Sequence, residues 1–111
     1  MVESYIPEKG DIVWLDFTPQ SGHEQKGRRP ALVLSHRSYN QRIGLAIFCP
    51  ITGKEKGYPF EVKLEGLKTC GCVLSDQVKS LDWIQRNIEF IERTSDEVIE
   101  DVLSKFLLLI Q

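Results

Sequence analysis

The chain is poor in the residues that hold metals and disulfides. Its 111 residues include three cysteines and two histidines. Cys49, Cys70 and Cys72 form an odd set, which leaves at least one thiol outside any bridge. Cys70 and Cys72 stand two apart, too close for a CxxC redox or zinc half-site, and only His23 and His36 could complete a metal set. The thiols therefore read as reduced and structural. No apolar run approaches the ~20 residues needed to span a bilayer. The start, Met1-Val2-Glu3-Ser4-Tyr5, lacks a basic stretch followed by an apolar one, so no secretory signal is expected and the cytoplasm is the expected compartment. Internal repeats, linkers and low-complexity segments are also missing, and one domain covering 1–111 is expected.

A positive surplus is lacking too, since the formal net charge is -2. The distribution is uneven, however. Residues 1–60 carry eight Lys/Arg against six Asp/Glu, and residues 61–111 carry six against ten. Most of the positive excess falls between His23 and Arg42. A local basic stripe can attract phosphate on a mildly acidic protein, because the attraction acts over a Debye length of ~8–10 Å.

What is present is a series of short apolar runs. Ile12–Phe17 alternates and predicts a strand. Ala31–Ser35 is a continuous apolar run typical of a buried strand. Ser38–Gly44 predicts one helical turn ended by Gly44. Leu45–Cys49 predicts a strand stopped by Pro50. Pro59–Leu64 alternates, and Val73–Val78 and Ile88–Ile91 read as further strands. Thr94-Ser95-Asp96-Glu97 has capping-box spacing, with Thr94 as cap and Glu97 returning the bond. Val98, Ile99, Val102, Leu103, Phe106, Leu109 and Ile110 then recur at helical period. Leu107 and Leu108 widen that stripe, which implies deep burial or a partner subunit. The fold class is mainly β with a C-terminal helix, a small antiparallel barrel closed by that helix.

Between the first two strands lies Gly22-His23-Glu24-Gln25-Lys26-Gly27-Arg28-Arg29-Pro30. It combines an imidazole, a carboxylate and three cations, a mixture suited to holding phosphate and moving protons rather than to a core.

The order of motifs resembles the MazF/PemK/Kid toxins of bacterial type II toxin–antitoxin pairs, and most nearly the MazF branch. The pieces are Gly10-Asp11-Ile12-Val13-Trp14, Gly22–Gly27, Arg29–Ser35, Pro50-Ile51-Thr52, Lys56–Phe60 and Val73–Ser80. The resemblance implies an SH3-like barrel acting as a homodimer. It implies cleavage of single-stranded RNA, such as mRNA, without a metal or other cofactor. It also implies a cognate antitoxin whose acidic, extended tail occupies the RNA groove, and no membrane partner.

Such cleavage uses the RNA's own 2'-hydroxyl as nucleophile, giving a 2',3'-cyclic phosphate and a 5'-hydroxyl. It needs a base, an acid and a phosphate-holding cation. By resemblance Arg29 and Thr52 are the strongest catalytic candidates. The planar fork of Arg29 can donate two hydrogen bonds to phosphoryl oxygens, and Thr52 adds a hydroxyl donor. Glu24 and His23 are the candidate proton carriers. Histidine titrates near neutrality, whereas Glu24 would need its pKa raised to act as an efficient base. PemK/Kid-type relatives use the histidine equivalent to His23, MazF-type ones often lack it, and both keep the glutamate. Lys54, Lys56 and Lys79 are candidates for the RNA backbone. Phe17 and Tyr58 are candidates for stacking on bases, with Phe17, which ends a strand, equally readable as core. Asp76 matches a position tied to catalysis in the Kid branch, but Leu74 stands where that branch has an arginine. Asp76 and Gln77 are therefore expected to be structural or base-reading.

Two other readings stand beside this one. A CcdB-like gyrase poison would share the barrel but act through a tryptophan near the C-terminus, and here the last tryptophan is Trp83. A non-catalytic SH3-like module that binds peptide or nucleic acid would explain the barrel and the basic stripe, without needing Glu24, Arg29 and Thr52 to converge.

Overall fold

Alternation along the first strands puts apolar side chains on both faces of one sheet. The computed structural model describes residues 5–17 and 27–111. Strand β1 is Asp11–Phe17 and β2 is Gly27–Val33. They pair antiparallel, with Ile12 opposite Leu32, Val13 opposite Ala31 and Leu15 opposite Arg29. Neighbours on a strand point to opposite faces. Ile12 and Leu32 enter one apolar cluster, and Val13, Leu15, Ala31 and Val33 enter another. Burial on both faces explains why Ala31–Val33 reads as an unbroken apolar run.

Helix α1 is Arg37–Ile43, ended by Gly44 at φ 81, as the Gly44 stop predicts. Strand β3, Ala46–Thr52, then pairs with β2. It runs through Pro50, where a stop is expected from sequence. The Leu34 amide donates to the Ile47 carbonyl at 2.8 Å, so odd-numbered β3 residues turn their backbone groups toward β2. Pro50 turns the other way. There β6, Lys79–Leu81, pairs up to Phe48, and β5, Cys72–Leu74, starts opposite Ile51. The missing N–H of Pro50 falls in the gap between those ladders, where it costs no hydrogen bond.

Strand β4, Glu61–Lys63, forms a hairpin with β5. Of the expected strand Val73–Val78 only Val73 and Leu74 are strand; a turn follows, and β6 begins at Lys79. The Ser75 hydroxyl and amide both donate to the Phe60 carbonyl, and the Gln77 amide donates to the Leu74 carbonyl. Strand β7, Glu89–Arg93, pairs with β1. Helix α2, Asp96–Leu107, completes the chain.

The strand path runs β4-β5-β3-β2-β1-β7, with β6 branching from β3. The sheet is antiparallel with a C-terminal helix, as expected, but it is open. Among the described residues no ladder joins β4 to β7. Side chains fill that space instead: Val98, Val102 and Leu103 of α2 pack with Val62, Leu64 and Ile91 around Ile12 and Leu32. Full burial of such a side chain contributes ~1.5–3 kcal/mol, and Val98, Leu103 and Ile91 are buried only in part. The second cluster centres on Phe48, Leu15 and Trp83 and is covered by Tyr5 and Ile6.

The cap of α2 differs from the capping-box expectation by one residue. Ser95 is the cap and accepts from the Val98 amide at 3.3 Å, whereas the Thr94 hydroxyl is buried without a partner. Thr94 is held by strand geometry, its amide donating to the Gly10 carbonyl at 2.9 Å. Shifting the cap places Val98 at the position where a capping box needs a glutamate, so Glu97 has no cap amide to reach. At the other end Leu107, Leu108, Leu109 and Ile110 are exposed on the single chain.

Buried polar groups join the elements. Asp11 accepts from the Tyr5 hydroxyl, from the Glu8 amide at 3.1 Å and from Arg93 at 2.7 Å. Burial and the neighbouring Asp11 carboxylate drive the Tyr5 phenol far above its usual range. Asn40, fully buried, donates to the Pro7 and Ser35 carbonyls at 2.9 and 3.1 Å and accepts from the Ser35 hydroxyl at 2.5 Å. Its own carbonyl accepts from the Trp83 indole at 3.2 Å.

Candidate active site

The ends of β2 and β3 carry the two strongest candidates. Ala31 lies opposite Pro50 and Leu32 opposite Cys49. The ladder ends there, with Arg29 two residues before Ala31 on β2 and Thr52 two residues after Pro50 on β3. Arg29 is half-buried at the start of β2, across from Leu15 of β1. Thr52 closes β3 and is only 8% exposed. Its hydroxyl oxygen accepts from the Lys54 amide at 3.2 Å, which starts the turn into the 53–58 loop. A hydroxyl that accepts a hydrogen bond still has its own proton to donate.

Loop 53–58 is shaped by a carboxylate that sequence reasoning passed over. Glu61 of β4 accepts from the amides of Lys56 at 3.1 Å, Gly57 at 3.0 Å and Tyr58 at 3.2 Å. The loop therefore curls around one anion and turns its lysine side chains outward; Lys54 and Lys56 are both exposed. Nothing local signals this role, since Glu61 alternates with Val62 as any solvent-facing strand carboxylate does.

Tyr58 is exposed and donates its hydroxyl to Asp76 at 2.9 Å. The hydrogen bond to Asp76 and that carboxylate's charge raise the Tyr58 pKa above the usual phenol value. The tie joins loop 53–58 to the β5–β6 turn, with the Tyr58 ring tilted 53° against Phe60 at 5.7 Å. The other Asp76 oxygen is buried without a hydrogen-bond partner. Gln77 and Lys79 follow, both partly buried, with Lys79 opposite Phe48 on β3. Thus Thr52, Lys54, Lys56, Tyr58, Asp76, Gln77 and Lys79 lie on β3 and on the loops and strand that adjoin it.

Of its two readings, Phe17 fits the core one by its placement. It is 4% exposed and packs in the second apolar cluster, because β1 alternation aims it inward with Val13 and Leu15. His23 and Glu24 lie outside the described residues.

Arg28 has its own partners. It donates to Asp16 at 3.0 Å and to Glu89 at 3.3 Å. Asp16 also accepts from the Asn87 side-chain amide at 2.6 Å, and its backbone carbonyl accepts from Arg86 at 3.1 Å. The Asn87 bond first, then the Arg28 bond, hold the Asp16 carboxyl below its usual range. Arg28 thus belongs to a clamp on β1, β2 and β7, whereas sequence offered it as one more basic residue of the stripe.

Cys49 and Cys72 are buried, in line with a structural role, whereas Cys70 is exposed. Burial, reinforced by the Asp76 charge, pushes Cys49 up to about 12. Burial, with the charges of Glu61 and Glu55, pushes Cys72 up to about 11. No disulfide joins the three, and Cys70 alone is exposed. Among the described residues no group of three His, Cys, Asp or Glu side chains is gathered to hold a metal ion. Among them, too, no helix is long and apolar enough to cross a membrane.

An open antiparallel sheet sealed by a C-terminal helix, with Thr52 and a lysine-bearing loop at the end of β3, defines an SH3-like fold. The family described as PemK-like, MazF-like toxin of type II toxin–antitoxin system matches residues 8–110, and the chain belongs to it. It is 43% identical to the endoribonuclease toxin MazF of Escherichia coli K12 over 110 residues, 99% of each chain. It is 37% identical to the endoribonuclease toxin ChpB of the same strain over 117 residues, the whole of each. The crystal structure of MazF from Deinococcus radiodurans superposes with a TM-score of 0.92 at 49% identity, covering 96% of this chain and 98% of that one. A MazE–MazF crystal structure from the same organism superposes at 0.87, covering 96% and 97%.

Proposed function

We propose that the chain is an endoribonuclease toxin that cuts single-stranded mRNA at selected sequences, halts translation and growth, and is neutralised by a cognate antitoxin. The observation that supports the chemistry is that Arg29 and Thr52 each stand two residues beyond the Ala31–Pro50 pair of β2 and β3, beside a loop curled by Glu61 with Lys54 and Lys56 outside. Full-length likeness to endoribonuclease toxins and to a MazF solved with MazE supports the activity and the antitoxin.

In the proposed reaction the 2'-oxygen attacks the adjacent phosphorus and the P–O5' bond breaks. The 2'-hydroxyl proton leaves to a base and the 5'-oxygen receives one from an acid. Glu24 and His23 are proposed for these two transfers. Arg29 donates its fork to the phosphoryl oxygens, and Thr52 donates its hydroxyl, so charge developing on the phosphorane is met by fixed donors. Lys54, Lys56 and Lys79 hold the flanking phosphates. Tyr58 offers its ring face to a base, and Asp76 and Gln77 read base edges. Phe17, buried in the second apolar cluster, takes no part in base stacking in this reading. The antitoxin would lay an acidic, extended segment over the same cations. The exposed Leu107–Ile110 end of α2 is proposed as part of a homodimer contact. The cytoplasm, where mRNA is found, is the proposed compartment. Trp83, the last tryptophan, is buried with its indole bound to Asn40, so no C-terminal tryptophan is presented in the manner of a gyrase poison.

Incubation with a long single-stranded RNA in EDTA tests the reading. Discrete cleavage is expected, mapped by primer extension to a short shared motif. Arg29→Ala should keep the fold and lose cleavage by 100-fold or more, the order of magnitude for removing a transition-state donor. Intact RNA with the wild-type chain would refute it.

A further inference from the structure

The turn between β4 and β5 presses against Thr52. Its base is anchored on β7, where Glu92 accepts from the Thr69 amide and hydroxyl at 2.7 Å each and from the Lys68 amide at 3.1 Å. The chain then enters β5 through Gly71, at φ +118. The Gly71 carbonyl accepts from the Leu64 amide at 3.0 Å, and the next residue, Cys72, pairs with Thr52. A Cβ at Gly71 would lie 2.1 Å from the Thr52 carbonyl oxygen, 2.8 Å from its carbonyl carbon and 3.1 Å from the Gly53 Cα. All three atoms are backbone, so no rotamer change relieves the overlap. With one side of the contact tied to Glu92 and Leu64, relief falls on Thr52 and the start of loop 53–58.

We propose that Gly71 is a positioning residue for RNA cleavage: its bare α-carbon sets where the Thr52 backbone, and hence the Thr52 hydroxyl, stands beside the scissile phosphate. This rests on the reading of Thr52 as a phosphate donor. A displacement of about 1 Å at a reacting centre is enough to cost about 100-fold in rate. Gly66 provides the control. It has φ +74 in the same turn, but a Cβ there meets nothing within 4 Å. Alanine at either position incurs the left-handed backbone strain, and only Gly71→Ala drives into Thr52.

The test compares Gly71→Ala, Gly66→Ala, Thr52→Ala and the double variant Thr52→Ala/Gly71→Ala. Single-turnover kcat is measured on an RNA oligonucleotide carrying the mapped cleavage site. Binding is measured with the same oligonucleotide made uncleavable by one 2'-deoxy nucleotide. Gly71→Ala should lower kcat about 100-fold and leave binding within about threefold, while Gly66→Ala keeps wild-type kcat. In the Thr52→Ala background, Gly71→Ala should lower kcat no further, because its effect runs through the group already removed. A Gly71→Ala rate equal to that of Gly66→Ala would overturn the proposal. So would a further loss in the double variant, or loss of RNA binding and of cooperative unfolding in Gly71→Ala while Gly66→Ala folds. Wild-type kcat in Thr52→Ala would overturn the role of Thr52 itself; an impaired Thr52→Ala beside an unimpaired Gly71→Ala would overturn that of Gly71 alone.

Discussion

Glu61 offers the sharpest test of how loop 53–58, proposed to meet RNA, is built, because two effects of removing it have opposite signs. Its carboxylate gathers the amides of Lys56, Gly57 and Tyr58. At a partly exposed carboxylate each bond is worth about 0.5–1 kcal/mol, so about 2 kcal/mol of loop order is lost in Glu61→Ala. The freed loop must then be ordered when RNA binds, which lowers kcat/KM by about 5- to 30-fold. Against this, the variant removes a negative charge near a polyanion. A unit charge ~10 Å from one phosphate in water contributes about 0.4 kcal/mol before screening, or roughly twofold. Loop order outweighs charge, so a net fall is expected. Glu61→Gln should fall in between, since a neutral amide oxygen accepts more weakly than a carboxylate. The assay is initial-rate cleavage of a fluorescent oligonucleotide at physiological salt, with urea unfolding as a check on stability. A kcat/KM that stays at the wild-type value or rises would refute the reasoning and leave Glu61 as a mere repulsive charge.

Further outcomes follow from groups outside the loop. Asn40→Ala removes three buried hydrogen bonds at about 1 kcal/mol each, so urea unfolding should show a loss of about 3 kcal/mol with unchanged activity per folded molecule. The Asp16 carboxyl, held low by Asn87 and Arg28, stabilises the fold above the unfolded value of ~3.9, and that contribution is lost as pH falls through its lower folded value. The gap in urea midpoint between the wild type and Asp16→Ala should therefore be full at pH 7 and close on acidification below about pH 4. Cys49 and Cys72 are buried and pushed up to about 12 and about 11, so a thiol reagent at pH 7 should label only Cys70 quickly in the folded chain.

Much of the scaffold was legible because its signals are local. Period-two alternation gave β1, the Gly44 stop gave the end of α1, and the 3.6-residue stripe gave α2. The misreadings share a cause, which is that tertiary pairing overrode a sound local rule. Thr94 has capping-box spacing, but its amide is taken by Gly10, so Ser95 caps. Pro50 is a strand breaker, but it falls between two ladders where no donor is required. Val73–Val78 has strand composition, but Ser75 is drawn to the Phe60 carbonyl and the strand ends at Leu74. The site divides in the same way. The roles proposed for Arg29 and Thr52 follow from residue type and motif order. Glu61 and Gly71 act through backbone geometry, one by gathering amides and the other by having no side chain, and neither role has a signature in a single sequence. Phe17 was ambiguous between ring face and core until β1 fixed which way it points.

The claim at the centre is that the RNA supplies its own nucleophile while Arg29 and Thr52 hold the phosphate. Two oligonucleotides of the mapped target sequence, identical but for the 2'-hydroxyl of the nucleotide preceding the cut, test it most directly, with products resolved by mass spectrometry in EDTA. The ribose form should be cut to a 2',3'-cyclic phosphate and a 5'-hydroxyl, and the 2'-deoxy form should bind and stay intact. Cleavage of the 2'-deoxy form, or a linear 3'-phosphate or 5'-phosphate formed directly from the ribose form, would contradict it.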